Sequence, residues 1–193
     1  MRRVLYVHGG TTYSSREQFF SDLQNWEVSL EPTVNWNHTL ERDISLLTKI
    51  DMPLKQDARY EEWKVLFEKY LSLVDVNNTI FLGYSLGGVF LTQYFLETKQ
   101  EPYALLAVAP PFDKRDVQEE LVGGFGMQLQ EPASWKNVTF YFSSDDPVIP
   151  LSHKELFAKQ FPTATIKIVE NVGHFRMERF KELLRDIKTL QNQ

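Results

Sequence analysis

Apolar positions along the chain follow two rhythms. Short continuous runs occur at Val4-Leu5-Tyr6-Val7, at Thr79-Ile80-Phe81-Leu82, from Tyr103 to Val108 and from Val138 to Phe142. Runs of this length and composition predict strands buried on both faces. Thr165 to Val169 alternates instead, with Ile166 and Ile168 on one side, as a half-exposed strand does. Between the runs the period becomes helical. Tyr60, Trp63, Phe67, Tyr70, Leu71 and Val74 form one apolar face, with Glu61, Glu62, Lys64, Glu68 and Lys69 opposite, which predicts a helix over 60–74. Further helices are predicted over 17–26 and over 86–96, the latter apolar enough to be buried. Ser152-His153-Lys154-Glu155 has the spacing of a capping box and opens a helix through Phe161. A last helix is predicted from Phe175 to Leu190, with Phe180, Leu183, Leu184, Ile187 and Leu190 on one face.

Two stretches resist this reading. Leu40, Ile44 and Leu47 fit a helix over 39–46, while 47–52 fits a strand ended by Pro53. From Val28 to Trp36 the pattern is mixed and Pro32 breaks any helix. Strand and helix otherwise alternate throughout, which predicts an α/β three-layer sandwich: a mostly parallel sheet with helices on both faces. No linker or repeat interrupts residues 1–193, so one domain is expected. Residues 110–135 are the irregular exception, holding Pro110-Pro111, Gly123-Gly124-Phe125-Gly126 and Pro132. A segment of this kind in a compact domain is either a short lid or a plain surface excursion.

Composition removes several function classes. The 193 residues carry 21 Lys and Arg against 26 Asp and Glu, a net charge of −5 with no long single-sign run. Nucleic acid is therefore not an expected partner, since phosphate binding needs a basic patch. The chain has no cysteine, which excludes disulfides, thiolate catalysis and cysteine-based zinc sites. The apolar run after Met1-Arg2-Arg3 is too short for a signal-peptide core, and no stretch approaches the length of a membrane span. A cytoplasmic protein that does not engage the membrane is the expectation.

The candidate chemistry begins at Gly83-Tyr84-Ser85-Leu86-Gly87, a GxSxG pattern at the junction of a predicted strand and a predicted helix. A serine on such a sharp turn presents its hydroxyl beyond the sheet, and flanking glycines are needed where strand and helix crowd together. The bland alternative is a glycine-rich turn with an idle serine. A serine hydroxyl also needs a general base, and the base needs an orienting carboxylate. Two strand-end loops supply them in the order Ser, Asp, His: Ser143-Ser144-Asp145-Asp146-Pro147 and Asn171-Val172-Gly173-His174-Phe175. His174 is the candidate base. His38 is expected to be solvated, His153 to be exposed on a helix first turn, and His8 to support its own loop. Asp145 and Asp146 both remain open as the orienting acid, because neighbours on a turn point in different directions. For the oxyanion hole the candidates are the amides of Leu86, which opens a helix, and of Gly10, in the first strand-end loop. Tyr13, Phe112 and Phe125 are candidates for an apolar substrate pocket, with core packing as the alternative.

His8-Gly9-Gly10, Gly83-Tyr84-Ser85-Leu86-Gly87-Gly88, Asp145-Asp146-Pro147-Val148-Ile149-Pro150 and Gly173-His174-Phe175 together resemble the α/β-hydrolase superfamily. The small size and the Asp-Asp-Pro and Gly-His-Phe elements are similar to its YdeN-like branch, which includes the serine hydrolase first described as a retinoblastoma-binding protein. The resemblance implies the α/β-hydrolase fold with a minimal cap and a triad of Ser85, Asp146 and His174. It selects Asp146 over Asp145, because the family's aspartate precedes its proline by four residues and Pro150 stands here. It further implies a hydrolase of small carboxylic esters acting through an acyl-enzyme on Ser85, with a small-molecule acyl substrate, no cofactor and no metal. Two departures stand out. The branch often lacks a histidine before its first glycine, where this chain has His8, and residues 30–57 match it poorly. The alternatives are an amide, thioester or peptide hydrolase with the same triad, and a non-catalytic binding module on the same scaffold.

Overall fold

The structure, a computed structural model, describes residues 1–31, 35–117 and 121–193. Pro32, the expected helix breaker, and residues 118–120 of the lid candidate lie outside the described residues. Six strands form one sheet: β1 (Arg3–Val7), β2 (Leu47–Ile50), β3 (Thr79–Tyr84), β4 (Ala104–Val108), β5 (Val138–Ser143) and β6 (Thr165–Val169). Their order is β2-β1-β3-β4-β5-β6, and every neighbouring pair is parallel. The helices are α1 (Arg16–Asn25), α2 (Leu40–Asp43), α3 (Tyr60–Leu71), α4 (Leu86–Thr98), α5 (His153–Gln160) and α6 (Lys181–Asn192).

Each face of the sheet carries its own core. On one, Trp63 and Phe67 of α3, Phe90 and Phe95 of α4 and Phe157 of α5 pack on Leu5, Phe81 and Phe140. On the other, Leu40 of α2 and Leu183 and Ile187 of α6 pack on Val4, Ile80 and Leu106. This is the three-layer arrangement that the alternating pattern predicts. β1, β3 and β4 are covered on both faces, which is why they read as unbroken apolar runs. β6 lies at the sheet edge and leaves Ile168 half exposed.

The strand order opens a crevice at one end of the sheet. The chain leaves β1 toward β2 on one side and returns to place β3 on the other. Loops after β1 and β3 therefore part company, and the gap lies between the carboxyl ends of these strands. Ligands of open α/β sheets bind at such a switch point. The turn His8-Gly9-Gly10 lies on one side of it and Ser85 on the other.

Several local expectations differ from the structure. The helix expected over 39–46 is a single turn, α2, and residues 47–50 take the strand alternative as β2. Ser152 makes no side-chain cap bond and is itself helical in backbone, so the capping box does not form. The last helix starts at Lys181 and not at Phe175, because Asn171, Gly173 and Phe175 all have positive φ and no helix can run through them. Phe175 and Phe180 instead pack on each other in the core, with ring centroids 5.1 Å apart.

Candidate active site

Ser85 sits between β3 and α4 with φ 49° and ψ −117°. A non-glycine residue rarely holds this conformation, and the surroundings must impose it. They do so in two ways. The Ser85 N–H donates to Val108 O at 2.8 Å, tying the turn to β4. Gly83 also lets α4 approach β3 so closely that a Cβ there would lie 2.5 Å from Gly87 O. The serine side chain is thus raised over the end of the sheet, toward the crevice.

His174 and Asp146 meet across the ends of β5 and β6. His174 Nδ1 lies 2.8 Å from Asp146 Oδ2 and 3.0 Å from Oδ1. The Asp146 side chain is only 2% exposed and the His174 side chain 13%. Asp146 Oδ1 also accepts the N–H groups of Val148 and Ile149 at 2.8 and 3.1 Å, so its own loop fixes the carboxylate. Asp145 faces elsewhere. Its Oδ1 accepts Ser143 Oγ at 2.7 Å and the Gly173 N–H at 2.8 Å. The Ser143 hydroxyl, and then the Gly173 amide, hold the Asp145 carboxyl below the usual carboxylate range. Asp145 thereby stitches the aspartate loop to the histidine loop. Tyr84 adds a second tie, donating from its hydroxyl to His174 O at 2.8 Å. Its ring lies 5.2 Å from the imidazole. Tyr84 is not among the residues that sequence reasoning selects, although it stands directly before the serine.

Ser85 and His174 line one cleft, together with Gly9, Gly10, Trp26, Asn37, Lys55, Gln56 and Tyr84. Among the described residues no hydrogen bond joins the Ser85 hydroxyl to the imidazole. Nucleophile–base contacts commonly lengthen in substrate-free sites and tighten on binding. On the facing loop, a Cβ on Gly9 would lie 3.3 Å from Ser85 Cβ, and one on Gly10 would lie 2.6 Å from Lys55 O. Glycine is therefore required at position 10 by the close passage of the Lys55 segment. Among the described residues the N–H groups of Gly10 and Leu86 have no protein acceptor, and both residues border the space beside Ser85. An anion there would find two unclaimed donors and the N-terminus of α4.

His8 supports its loop as expected. Its Nε2 accepts the Met52 N–H at 2.9 Å, while Nδ1 lies 2.6 Å from Gly9 O. A neutral ring protonated on Nδ1 satisfies both contacts. Burial pushes its pKa below the ordinary value, and the nearby Lys55 charge acts in the same direction. The unfolded chain therefore takes up this proton first on acidification. The stability His8 contributes is complete above about pH 6.5 and is lost as pH falls through its lower folded value. The urea midpoint is expected to fall between pH 7.5 and 5.5, and to fall less in His8→Gln. Equal slopes in the two proteins would contradict this reading.

Other sequence expectations need correction. His153 is 1% exposed and does not lie on the surface. Its Nδ1 accepts the Phe112 N–H at 2.8 Å and its Nε2 donates to Arg115 O at 2.7 Å, so it clamps the start of the 110–135 segment. Phe112 and Phe125 do not line the cleft. Both are buried, Phe112 against Phe157 and Phe125 against Tyr60 and Trp63, because aromatic surface is more favourably placed in the core than in a loop. Tyr13 is also buried and packs on Phe19. Trp26, Asn37, Lys55 and Gln56 border the cleft, and no sequence signal points to them.

The sequence profile of a family described as serine hydrolase matches residues 26–190. The chain belongs to the serine hydrolase family. Solved structures of similar shape agree on the fold. The ydeN gene product of Bacillus subtilis superposes with a TM-score of 0.66 at 17% identity, covering 100% of both chains. A protein of Pectobacterium atrosepticum described as a YdeN-like hydrolase gives 0.67 at 15% identity, covering 97% of this chain and 92% of its own. The RedJ thioesterase of the prodiginine pathway in Streptomyces coelicolor gives 0.62 at 10% identity, covering 98% and 90%. No curated protein matches the chain. The α/β-hydrolase fold of this serine hydrolase is thus shared with proteins described as a hydrolase and a thioesterase, and no helix among its described residues is long and apolar enough to cross a membrane.

Proposed function

We propose that this serine hydrolase cleaves small carboxylic esters through an acyl-enzyme on Ser85. The observation that carries the reading is the buried Asp146–His174 pair, 2.8 Å apart, whose histidine borders the same cleft as a serine in a strained strand-to-helix turn. Neutral His174 takes the Ser85 proton through Nε2 as the hydroxyl oxygen attacks the ester carbonyl. Asp146 accepts a hydrogen bond from Nδ1–H, which fixes the tautomer and stabilises the imidazolium that forms. The amides of Gly10 and Leu86 receive the negative oxygen of the tetrahedral intermediate. His174 then returns the proton to the departing alcohol, and a water molecule repeats the sequence on the acyl-enzyme to release the acid. No step calls for a metal or a cofactor. The reading keeps residues 1–193 as one catalytic domain, with 110–135 as its candidate for a short lid loop.

The test pairs p-nitrophenyl acetate with p-nitroacetanilide, which share an acyl group and differ in the bond cut. Ser85-dependent hydrolysis of the ester is expected, with the anilide far slower. Ser85-dependent cleavage of the anilide at a rate matching or exceeding the ester would overturn the ester assignment.

A further inference from the structure

Ser85 has open space on two sides, and the two spaces differ greatly in size. The cleft it shares with His174 measures about 390 Å³. A second space beside Ser85, not bordered by His174, measures about 20 Å³. Gly10 and Leu86 border it, and Pro111, Val117, Leu121, Val148 and Ile149 line it further. Chemistry assigns the two spaces. The group that protonates the leaving oxygen must lie beside it, so the alcohol portion of a substrate occupies the His174 side. The acyl chain, whose carbonyl oxygen points at the Gly10 and Leu86 amides, is then left with the smaller space.

One water needs roughly 10–15 Å³ of such space, so about 20 Å³ admits a group the size of a methyl and little more. The walls are also fastened. Val148 and Ile149 both donate their N–H groups to Asp146 Oδ1. Thr12 Oγ1 accepts the Val122 N–H at 3.0 Å, next to Leu121. The buried His153 binds Phe112 and Arg115, fixing the strip between Pro111 and Val117. Longer acyl chains would have to break these ties or drive apart close-packed side chains.

Resting on the serine hydrolase reading above, we infer that the enzyme is selective for very short acyl groups, acetyl above all, joined to a large alcohol. The open side sets little limit on that alcohol. Its rim carries the aromatic Trp26 beside the polar residues Asn37, Lys55 and Gln56, a lining suited to a polar, extended leaving group.

The experiment measures kcat/KM for p-nitrophenyl acetate, butanoate and octanoate on the wild type, Ser85→Ala, Leu121→Ala and Val117→Ala. In the wild type, butanoate is expected at least about tenfold below acetate, since one methylene in a fitted pocket changes the rate by about 10- to 200-fold. Octanoate should be lower still. Either truncation should raise the butanoate-to-acetate ratio about tenfold, and the half-buried Val117 provides a milder change than Leu121 if the latter fails to fold. Ser85-dependent hydrolysis of octanoate as fast as acetate would overturn the acyl-size inference while leaving the hydrolase reading intact. So would a ratio that neither truncation moves. Absence of Ser85-dependent turnover on every ester would instead overturn the hydrolase reading, and the acyl-size inference with it.

Discussion

Ser85→Ala is expected to lower ester turnover by about 10⁶-fold, the scale of losing a nucleophile that a base and an acid exist to activate. The size follows from the arrangement. Without the hydroxyl no acyl-enzyme can form, and the Asp146–His174 pair has no oxygen to deprotonate. Residual catalysis would come only from the Gly10 and Leu86 amides and from substrate binding, with water as the nucleophile. The fold should survive, because the φ of 49° at this position is imposed by its neighbours and alanine meets the same backbone constraint that serine does. A folded variant that retains most of its ester turnover would mean that another group attacks.

Asp146→Asn carries the second largest expected effect, about 10⁴-fold in kcat, the magnitude known when an amide in place of the acid holds the imidazole in the wrong tautomer. The Asn side chain can still accept the Val148 and Ile149 N–H groups through its oxygen, so the loop keeps its shape. Its NH₂ can then face His174 Nδ1 and donate to it, which leaves the proton on Nε2, where it blocks abstraction from Ser85. Asp145→Asn is the internal control. Asp145 is exposed, lies against Ser143 and Gly173, and makes no contact with the imidazole. Its replacement should cost less than about tenfold, through looser joining of the two loops and not through the tautomer. A silent Asp146→Asn beside a crippled Asp145→Asn would reverse the assignment of the two acids.

How much of this can be read from the chain alone depends on how local each feature is. The turn at Ser85 is encoded within ten residues: an apolar run, glycines where backbone meets backbone, then an apolar helix. The core helices α3 and α4 are equally legible, since their periodicity states which face is buried. The region from Phe175 to Phe180 misleads for an instructive reason. Phe180 lies on one helical face with Leu183 and Leu184, yet the chain before it runs through left-handed residues at 171, 173 and 175. His153 is hard to place because a position on a helix first turn does not say which way it faces. Phe157, one helical turn on and fully buried, is the available signal. Phe112 and Phe125 illustrate the opposite error, aromatic residues assigned to a pocket because their segment looks like a loop. The rim residues Asn37, Lys55 and Gln56 come from segments without periodic pattern, and Trp26 from the end of the helix predicted over 17–26. They meet only because β2 is laid beside β1, a long-range pairing that no short window contains.

The choice between Asp145 and Asp146 shows the same boundary. Two adjacent carboxylates on one turn are equivalent to any local rule. What separates them is that β5 and β6 run side by side, so that one side chain meets Gly173 and the other His174.

The most direct measurement is mass spectrometry after a fluorophosphonate probe, which reports whether one activated serine exists and where. The account predicts one adduct per chain in the wild type, mapped to Ser85, with none in Ser85→Ala and much slower labelling in Asp146→Asn. An adduct on another residue, or labelling of the wild type no faster than of Ser85→Ala, would contradict it.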